Sequence, residues 1–261
     1  MRVLITGCST GIGRAAAREL HARGHDVVAT ARRTEALEDL GAALALPLDV
    51  TEPESIRSAV RQAGNLDALV NNAGIAVYGP LESIPLEDVR RTFETNTFGA
   101  LAMMQAVVPT FRQRRSGVVV NVSSVAGRFA PALSGIYSAS KFALEAMSEA
   151  LRAEVRRFGV RVHLIEPGVV SSHIQSSMQV VGGDKDYEEL LAQWHRIEDA
   201  MTAAAPAAEL VASAIADTIE DPSAPFRQPV GPDAEASLAA RSAMDDETFE
   251  STMRAATGFT W

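Results

Sequence analysis

The chain has 261 residues, of which 47% are hydrophobic and 22% charged, a composition typical of one large α/β domain with a substantial buried core. Its formal net charge of −9 argues against non-specific nucleic-acid binding, and its single cysteine excludes an intrachain disulfide. No stretch is apolar and long enough to span a bilayer or shaped like a signal peptide, so we expect a cytoplasmic protein that acts on a small molecule.

The first candidate site is a glycine turn, Thr6-Gly7-Cys8-Ser9-Thr10-Gly11-Ile12-Gly13, which lies between an apolar run and a helix-forming run. A strand, a glycine turn and a helix in that order aim free backbone N–H groups and the positive end of a helix dipole at one point, where a pyrophosphate can bind. The spacing differs from the Gly-x-Gly-x-x-Gly of the commonest dinucleotide fingerprint. Taken alone, the turn therefore leaves a nucleotide cradle and a plain structural turn equally open.

The second candidate feature is a buried strand at residues 26–31 that runs directly into Arg32 and Arg33. In a dinucleotide fold an acidic residue at this place binds the ribose 2′-hydroxyl, whereas an arginine meets a 2′-phosphate. The acidic residue is absent, so the pattern favours NADP(H) over NAD(H). Solvated loop charges are the alternative interpretation of the two arginines.

Apolar runs alternate with helix-forming runs along the rest of the chain. Further strands are predicted at residues 44–50, 66–70, 117–122, 160–165 and 226–230. This alternation predicts parallel βαβ units and an α/β fold with a doubly wound parallel sheet, a Rossmann fold in a single domain over residues 1–261. Because ligands bind at the carboxyl ends of such strands, Ser124 is well placed for a functional role.

Tyr137 and Lys141 are four residues apart at the start of a predicted helix, so they share one face of it. An unperturbed tyrosine has a pKa of about 10, and a nearby cation would lower that pKa and make proton transfer practicable. The alternative is an exposed Tyr and Lys at a helix start. Asn96 falls among apolar residues, and on this pattern alone it fits a satisfied core amide.

The segment from Ser172 to Met201 has no clear strand pattern and carries apolar residues, including Met178 and Trp194, beside Gly182-Gly183. A long, partly apolar insertion after the active edge of a sheet is usually a lid or a substrate pocket. We therefore expect a substrate lid at about residues 172–201. The acidic residues 245–250 are expected to lie on a solvated helix.

Five separated stretches together resemble the short-chain dehydrogenase/reductase family over nearly the whole chain. They are Thr6-Gly7-x-x-x-Gly11-Ile12-Gly13, Asn71-Asn72-Ala73-Gly74, Asn96, Ser124 with Tyr137-x-x-x-Lys141, and Pro167-Gly168. The resemblance implies that Tyr137 donates a proton to a substrate carbonyl oxygen, which Ser124 also hydrogen-bonds, as the nicotinamide delivers hydride. Lys141 would hold the nicotinamide ribose and lower the Tyr137 pKa. Asn96 would position a water in the proton relay.

The same resemblance implies a set of cofactor contacts along the carboxyl edge of the sheet. They are Gly7, Ser9, Gly11, Ile12, Gly13, Arg32, Arg33, Asp49, Val50, Asn72, Ala73, Gly74, Tyr137, Lys141, Pro167, Gly168, Val169, Val170 and Ser172, the last in place of a threonine that many members have. No metal ligands are implied. The family usually pairs the helices that contain Asn96 and Tyr137, so a homodimer or homotetramer is expected.

The Ala29-Thr30-Ala31-Arg32 turn and the long segment after Pro167-Gly168 resemble the branch that contains hydroxysteroid and retinol dehydrogenases. This resemblance implies a bulky lipophilic carbonyl or alcohol substrate. Two alternatives stay open. A 3-oxoacyl thioester reductase would need a basic surface for its carrier, and a non-catalytic NADP-binding regulator would be favoured by an incomplete set of catalytic residues.

Overall fold

The computed structural model describes residues 1–171, 179–183 and 185–261, and its centre is a seven-stranded parallel sheet. The strands are β1 (Arg2–Ile5), β2 (Asp26–Ala31), β3 (Leu44–Pro47), β4 (Ala68–Asn71), β5 (Val77–Tyr78), β6 (Gly117–Val122), β7 (Val160–Pro167), β8 (Gln179–Val180) and β9 (Arg227–Val230). Strands β5 and β8 pair separately, and the order across the main sheet is β3-β2-β1-β4-β6-β7-β9. This order confirms the predicted doubly wound Rossmann fold.

Helices cover both faces of the sheet. They are α1 (Gly11–Ala22), α2 (Pro53–Ala63), α3 (Leu86–Phe93), α4 (Ala100–Arg114), α5 (Gly135–Val155), α6 (Glu188–Ala203), α7 (Ala208–Glu220), α8 (Pro232–Ala243) and α9 (Asp246–Thr257). Leu20 of α1 and Ile215 of α7 are buried on one face, and Met103 and Phe111 of α4 on the other. Because both faces are covered, β6 is buried along its whole length.

The helical region around Asn96 is not one continuous α-helix. Helix α3 ends at Phe93, a π-helical stretch follows over Glu94–Gly99, and α4 then begins at Ala100. Short π-helical stretches are rare in proteins, and those that occur are often found at functional sites. Asn96 lies within this stretch, next to the carboxyl edge of the sheet.

The segment expected to form a lid is only partly described. Strand β8 and helix α6 lie within it, whereas Ser172 and Met178 fall outside the described residues. Among the helices that the structure describes, none is both long enough and apolar enough to cross a membrane.

Candidate active site

Three positions of the turn after β1, those of Gly7, Gly11 and Gly13, require glycine. Gly7 and Gly11 have positive φ angles of 75° and 57°, which glycine adopts without strain. A Cβ on Gly13 would lie 2.4 Å from the Gly7 carbonyl oxygen and 2.3 Å from Asn72 Nδ2. The turn therefore brings the start of α1 close to the end of β1, with the positive end of the helix dipole at the edge of the sheet.

Side chains from neighbouring strand ends hold this turn in place. The Thr6 hydroxyl oxygen accepts hydrogen bonds from the backbone N–H groups of Asn72 and Ala73, both at 3.0 Å. Asn72 Nδ2 donates to the carbonyl oxygens of Thr6 at 2.9 Å and Gly7 at 3.2 Å. The ends of β1 and β4 are thus fixed against each other by side-chain-to-backbone hydrogen bonds.

A cleft of about 1160 Å³ runs along the carboxyl edge of the sheet. It is lined by most of the predicted cofactor contacts, namely Gly7, Ser9, Gly11, Ile12, Arg32, Asp49, Val50, Asn72, Ala73, Gly74, Tyr137, Lys141, Pro167, Gly168, Val169 and Val170. Gly13 does not line the cleft but makes the turn possible. Arg33 lines a smaller adjoining cavity with Arg32, and Ser172 lies outside the described residues. The cradle and its neighbours fit a dinucleotide cofactor.

Arg32 lies at the mouth of the cleft, directly after β2. Its side chain is exposed, and no carboxylate among the described residues forms an ion pair with it. A guanidinium in this state can bind a phosphate with two parallel hydrogen bonds.

Three of the four predicted catalytic residues meet in the same cleft. Ser124 follows β6, and Tyr137 and Lys141 lie on the first turns of α5. Lys141 Nζ lies 5.9 Å from the centroid of the Tyr137 ring and donates a 2.8 Å hydrogen bond to the Val122 carbonyl oxygen. Tyr137 is 8% exposed and Lys141 5% exposed, so both polar groups are largely removed from water.

The Tyr137 pKa differs from the sequence-based expectation. Burial raises the pKa of Tyr137, and a hydrogen bond with Ser124 only opposes that rise. The expected lowering of this pKa by Lys141 is therefore not found. Burial lowers the pKa of Lys141 itself to about 8, against the opposing charge of Glu145. In this state the Tyr137 hydroxyl keeps its proton at neutral pH and can donate it.

Asn96 is 1% exposed and does not line the cleft. Its Oδ1 accepts from the Ile75 N–H at 2.8 Å, and its Nδ2 donates to the Ile75 carbonyl oxygen at 2.9 Å and to Ser140 Oγ at 3.0 Å. The side chain thus ties the segment after β4 to helix α5, as the core-amide interpretation predicts. Because both Nδ2 hydrogens are engaged, the role in a water relay stays a prediction.

Some of the residues that form the far half of the cleft, away from the glycine turn, were not predicted from the sequence. Helix α9 is not simply solvated, because Phe249 is 7% exposed and packs on Phe129 with ring centroids 5.2 Å apart. Phe249 and Met253 both line the cleft. Their spacing of four residues, on one face of a helix, was the signal that could have indicated a buried face.

Asp233, on the first turn of α8, was also not predicted from the sequence. Its Oδ2 accepts a 2.7 Å hydrogen bond from the Val169 N–H. A Cβ on Gly168 would lie 2.1 Å from the same oxygen, so the glycine permits this close approach. Asp233 therefore fixes the loop that follows Pro167, and no local pattern in the sequence links these distant residues.

Comparisons with known proteins agree with this geometry. The sequence profile of the short chain dehydrogenase family matches residues 1–180. A 3-ketodihydrosphingosine reductase of Bacteroides thetaiotaomicron is 35% identical over 237 residues, which cover 88% of this chain and 87% of the relative. The crystal structure of a short-chain dehydrogenase from Streptomyces avermitilis is similar, with a TM-score of 0.85 and 33% identity over 99% of this chain and 98% of that one.

A second solved structure is a short chain dehydrogenase from Burkholderia cenocepacia in complex with NADP. It has a TM-score of 0.79 and 27% identity, and the match covers 100% of this chain and 98% of that chain.

Proposed function

Because the chain belongs to the short-chain dehydrogenase family of oxidoreductases, we propose that it interconverts a bulky lipophilic ketone or aldehyde with its alcohol and uses NADP(H). The observation that carries this proposal is the meeting of Ser124, Tyr137 and Lys141 in the cleft that also contains the glycine cradle. A proton donor and an anion-binding turn in one cleft suit the reduction of a carbonyl group.

Each of the three residues has a distinct role in the proposal. The buried Tyr137 hydroxyl donates its proton to the carbonyl oxygen, and the Ser124 hydroxyl hydrogen-bonds the same oxygen. Lys141 holds the nicotinamide ribose. The bound cofactor supplies the hydride. Because burial raises the Tyr137 pKa, its hydroxyl is protonated at neutral pH, as a proton donor must be.

The preference for NADP(H) rests on Arg32. This side chain lies exposed at the end of β2, without a carboxylate partner among the described residues, and Arg33 follows it beside the adjoining cavity. The preceding residue is Ala31, so no acidic group at that position repels a 2′-phosphate. The similar Burkholderia cenocepacia structure, which contains NADP, agrees with this assignment.

The lipophilic substrate class rests on the far half of the cleft. Aromatic and aliphatic side chains from distant parts of the chain line it, including Tyr78, Phe129, Trp194, Phe249 and Met253. Apolar walls of this kind bind apolar ligands by burying surface from water. The Bacteroides thetaiotaomicron relative is named as the reductase of a keto compound, which agrees with a ketone substrate.

The proposal is tested by a substrate panel of steroids, retinoids, quinones, small ketones and 3-oxoacyl thioesters, assayed with NADPH and with NADH. We expect oxidation of NADPH with the bulky ketones and a higher kcat/KM with NADPH than with NADH. Selective turnover of the thioesters would favour the acyl-reductase alternative. Tight NADPH binding with no turnover of any compound would favour the regulator.

We also propose a homodimer or homotetramer that pairs the helical region of Asn96 with α5. Phe98 is 51% exposed and Phe142 is 44% exposed, and these large apolar side chains lie on that region. Their burial in a symmetric interface would remove apolar surface from water. Analytical ultracentrifugation of Phe98→Asp with Phe142→Asp is expected to give a monomer. The control is Leu210→Asp on α7, which is 45% exposed on the other side of the sheet.

A further inference from the structure

Part of the cleft wall is formed by one face of helix α6. Trp194, Ile197 and Glu198 from this helix line the cleft. The Tyr78 ring connects α6 to the catalytic residues, because its centroid lies 5.1 Å from that of Trp194 and 5.8 Å from that of Tyr137. A ligand that lies along this wall and contacts Tyr137 therefore meets both aromatic surface and a carboxylate.

Glu198 differs from the other charged side chains that line the far half of the cleft. Those side chains have partners, and the ion pairs are Arg91 with Asp88, Arg128 with Glu166, Arg241 with Asp246, and Arg254 with Glu250. The Asp233 carboxylate accepts from the Val169 N–H. Within the described part of the chain, the carboxylate of Glu198 accepts no hydrogen bond and forms no ion pair.

The surroundings of Glu198 do not compensate its charge. Burial raises the pKa of Glu198, the neighbouring Asp199 raises it further, and His195 opposes both. Burial is the main cause of the raised pKa of Tyr78, and the charges of Tyr137 and Glu198 add to it. A partly buried carboxylate without a partner costs free energy, and a hydrogen-bond donor on a ligand would recover that cost.

We propose that Glu198 is a specificity-determining residue that binds an ammonium group, or another strong hydrogen-bond donor, on a lipophilic substrate whose carbonyl carbon lies at Tyr137. This inference deepens the proposed function and rests on it. Two separate places in the cleft would then recognise opposite charges. Arg32 binds a phosphate of the cofactor, and Glu198 binds a cationic group of the substrate, at a distance from the reacting carbonyl.

The test uses aryl methyl ketones with a para side chain of increasing length, each prepared with an ammonium end and with a methyl end. The full-length enzyme with NADPH is compared with Glu198→Gln, which keeps the shape and removes the charge. Glu188→Gln is the matched control, because Glu188 is exposed on the same helix and does not line the cleft. Thermal melting checks that all three proteins are folded.

At the best chain length we expect the wild-type enzyme to favour the ammonium ketone over the methyl ketone in kcat/KM. Glu198→Gln should reduce this ratio by about 10-fold or more, because a hydrogen bond between two charged groups is lost. The loss should appear in KM and leave kcat nearly unchanged, since the group is remote from the reacting atoms. Glu188→Gln should leave the ratio as it is.

An unchanged ratio in Glu198→Gln, or an equal fall in Glu188→Gln, would overturn the inference while leaving the proposed reduction intact. If no ketone is reduced, the proposed function fails and the site is tested by calorimetry. Titration of the protein and its NADP complex with a phenylalkylammonium ion should then give binding that Glu198→Gln weakens and Glu188→Gln does not. Equal binding by all three proteins would overturn the inference.

Discussion

The two halves of the cleft are built in different ways. The cofactor half is formed by strand ends and glycines, and hydrogen bonds to the backbone fix it, such as those accepted by Thr6 Oγ1 at 3.0 Å. The substrate half is formed by helices α6, α8 and α9, and packed side chains hold it together, such as Phe129 against Phe249. The glycines of the first half admit no side chain, whereas the second half can change its lining without changing the sheet.

Tyr137 lies where the two halves meet, and its removal should have the largest effect. Tyr137→Phe is expected to lower kcat by about 10²- to 10⁴-fold and to leave NADPH binding nearly intact, because only the proton donor is lost. Steady-state kinetics and a fluorescence titration with NADPH measure the two effects. Tyr78→Phe is the control, since it removes a hydroxyl from the neighbouring ring. An equal loss in the control, or full activity in Tyr137→Phe, would contradict the assignment.

The next effect concerns the cofactor half alone. Arg32→Ala should weaken NADPH binding by about 10- to 150-fold and hardly change NADH binding, because a hydrogen bond between charged groups contributes about 1.5–3 kcal/mol. Adding Ala31→Asp should reverse the preference toward NADH. Arg33 can share the phosphate, which would reduce the effect of Arg32→Ala alone.

The ratio of kcat/KM with NADPH to that with NADH measures this change, at one fixed ionic strength because salt screens exposed charges. A wild-type enzyme that prefers NADH would contradict the assignment of Arg32 before any variant was made.

A smaller effect is expected in the substrate half. Trp194→Ala should raise KM for a bulky ketone by about 10-fold and change KM for a small ketone much less, since only the bulky ketone reaches this apolar surface. Trp261→Ala is the matched control, because Trp261 is 45% exposed and does not line the cleft. Equal changes for both ketones, or only a lower melting temperature, would assign Trp194 to ordinary packing.

The smallest effect concerns how the buried Lys141 makes the stability of the fold depend on pH. Its pKa is about 8 in the folded protein, against an ordinary value of 10.5. Between these pH values the unfolded chain holds more protons, so this group makes the free energy of unfolding rise with pH, by at most about 1.4 kcal/mol per pH unit. Urea titrations at several pH values in this range give the free energy of unfolding at each pH. For Lys141→Met this free energy should rise less steeply with pH than for the wild-type protein. The same slope in both proteins would show that the Lys141 pKa is not lowered.

The cofactor half could be predicted from the sequence because its residues stand in short, contiguous patterns. Gly7, Gly11 and Gly13 are fixed by one turn, and Asn72 follows directly after a strand. The spacing of Tyr137 and Lys141 predicted that they share one face of a helix, and both line the cleft from α5. Arg32 follows its strand at once. Backbone geometry acts between near neighbours in these stretches, so local sequence carries the information.

The substrate half could not be predicted in the same way. Phe249, Glu198 and Asp233 reach the cleft only through the packing of helices that are distant in sequence. The raised pKa of Tyr137 depends on burial by residues from several elements, so the expectation based on Lys141 alone was wrong. Asn96 makes the hydrogen bonds of a buried amide, and its expected role in a water relay stays a prediction.

The most direct test of the central claim, carbonyl reduction at the point where the halves meet, follows a hydrogen isotope. The wild-type enzyme is given a bulky ketone and NADPH that carries deuterium on one face of the nicotinamide, and the alcohol is examined by mass spectrometry. We expect deuterium on the carbinol carbon from one labelled face and not from the other, and none on that carbon from deuterated water. An alcohol without the label from either face, or no alcohol at all, would contradict the account.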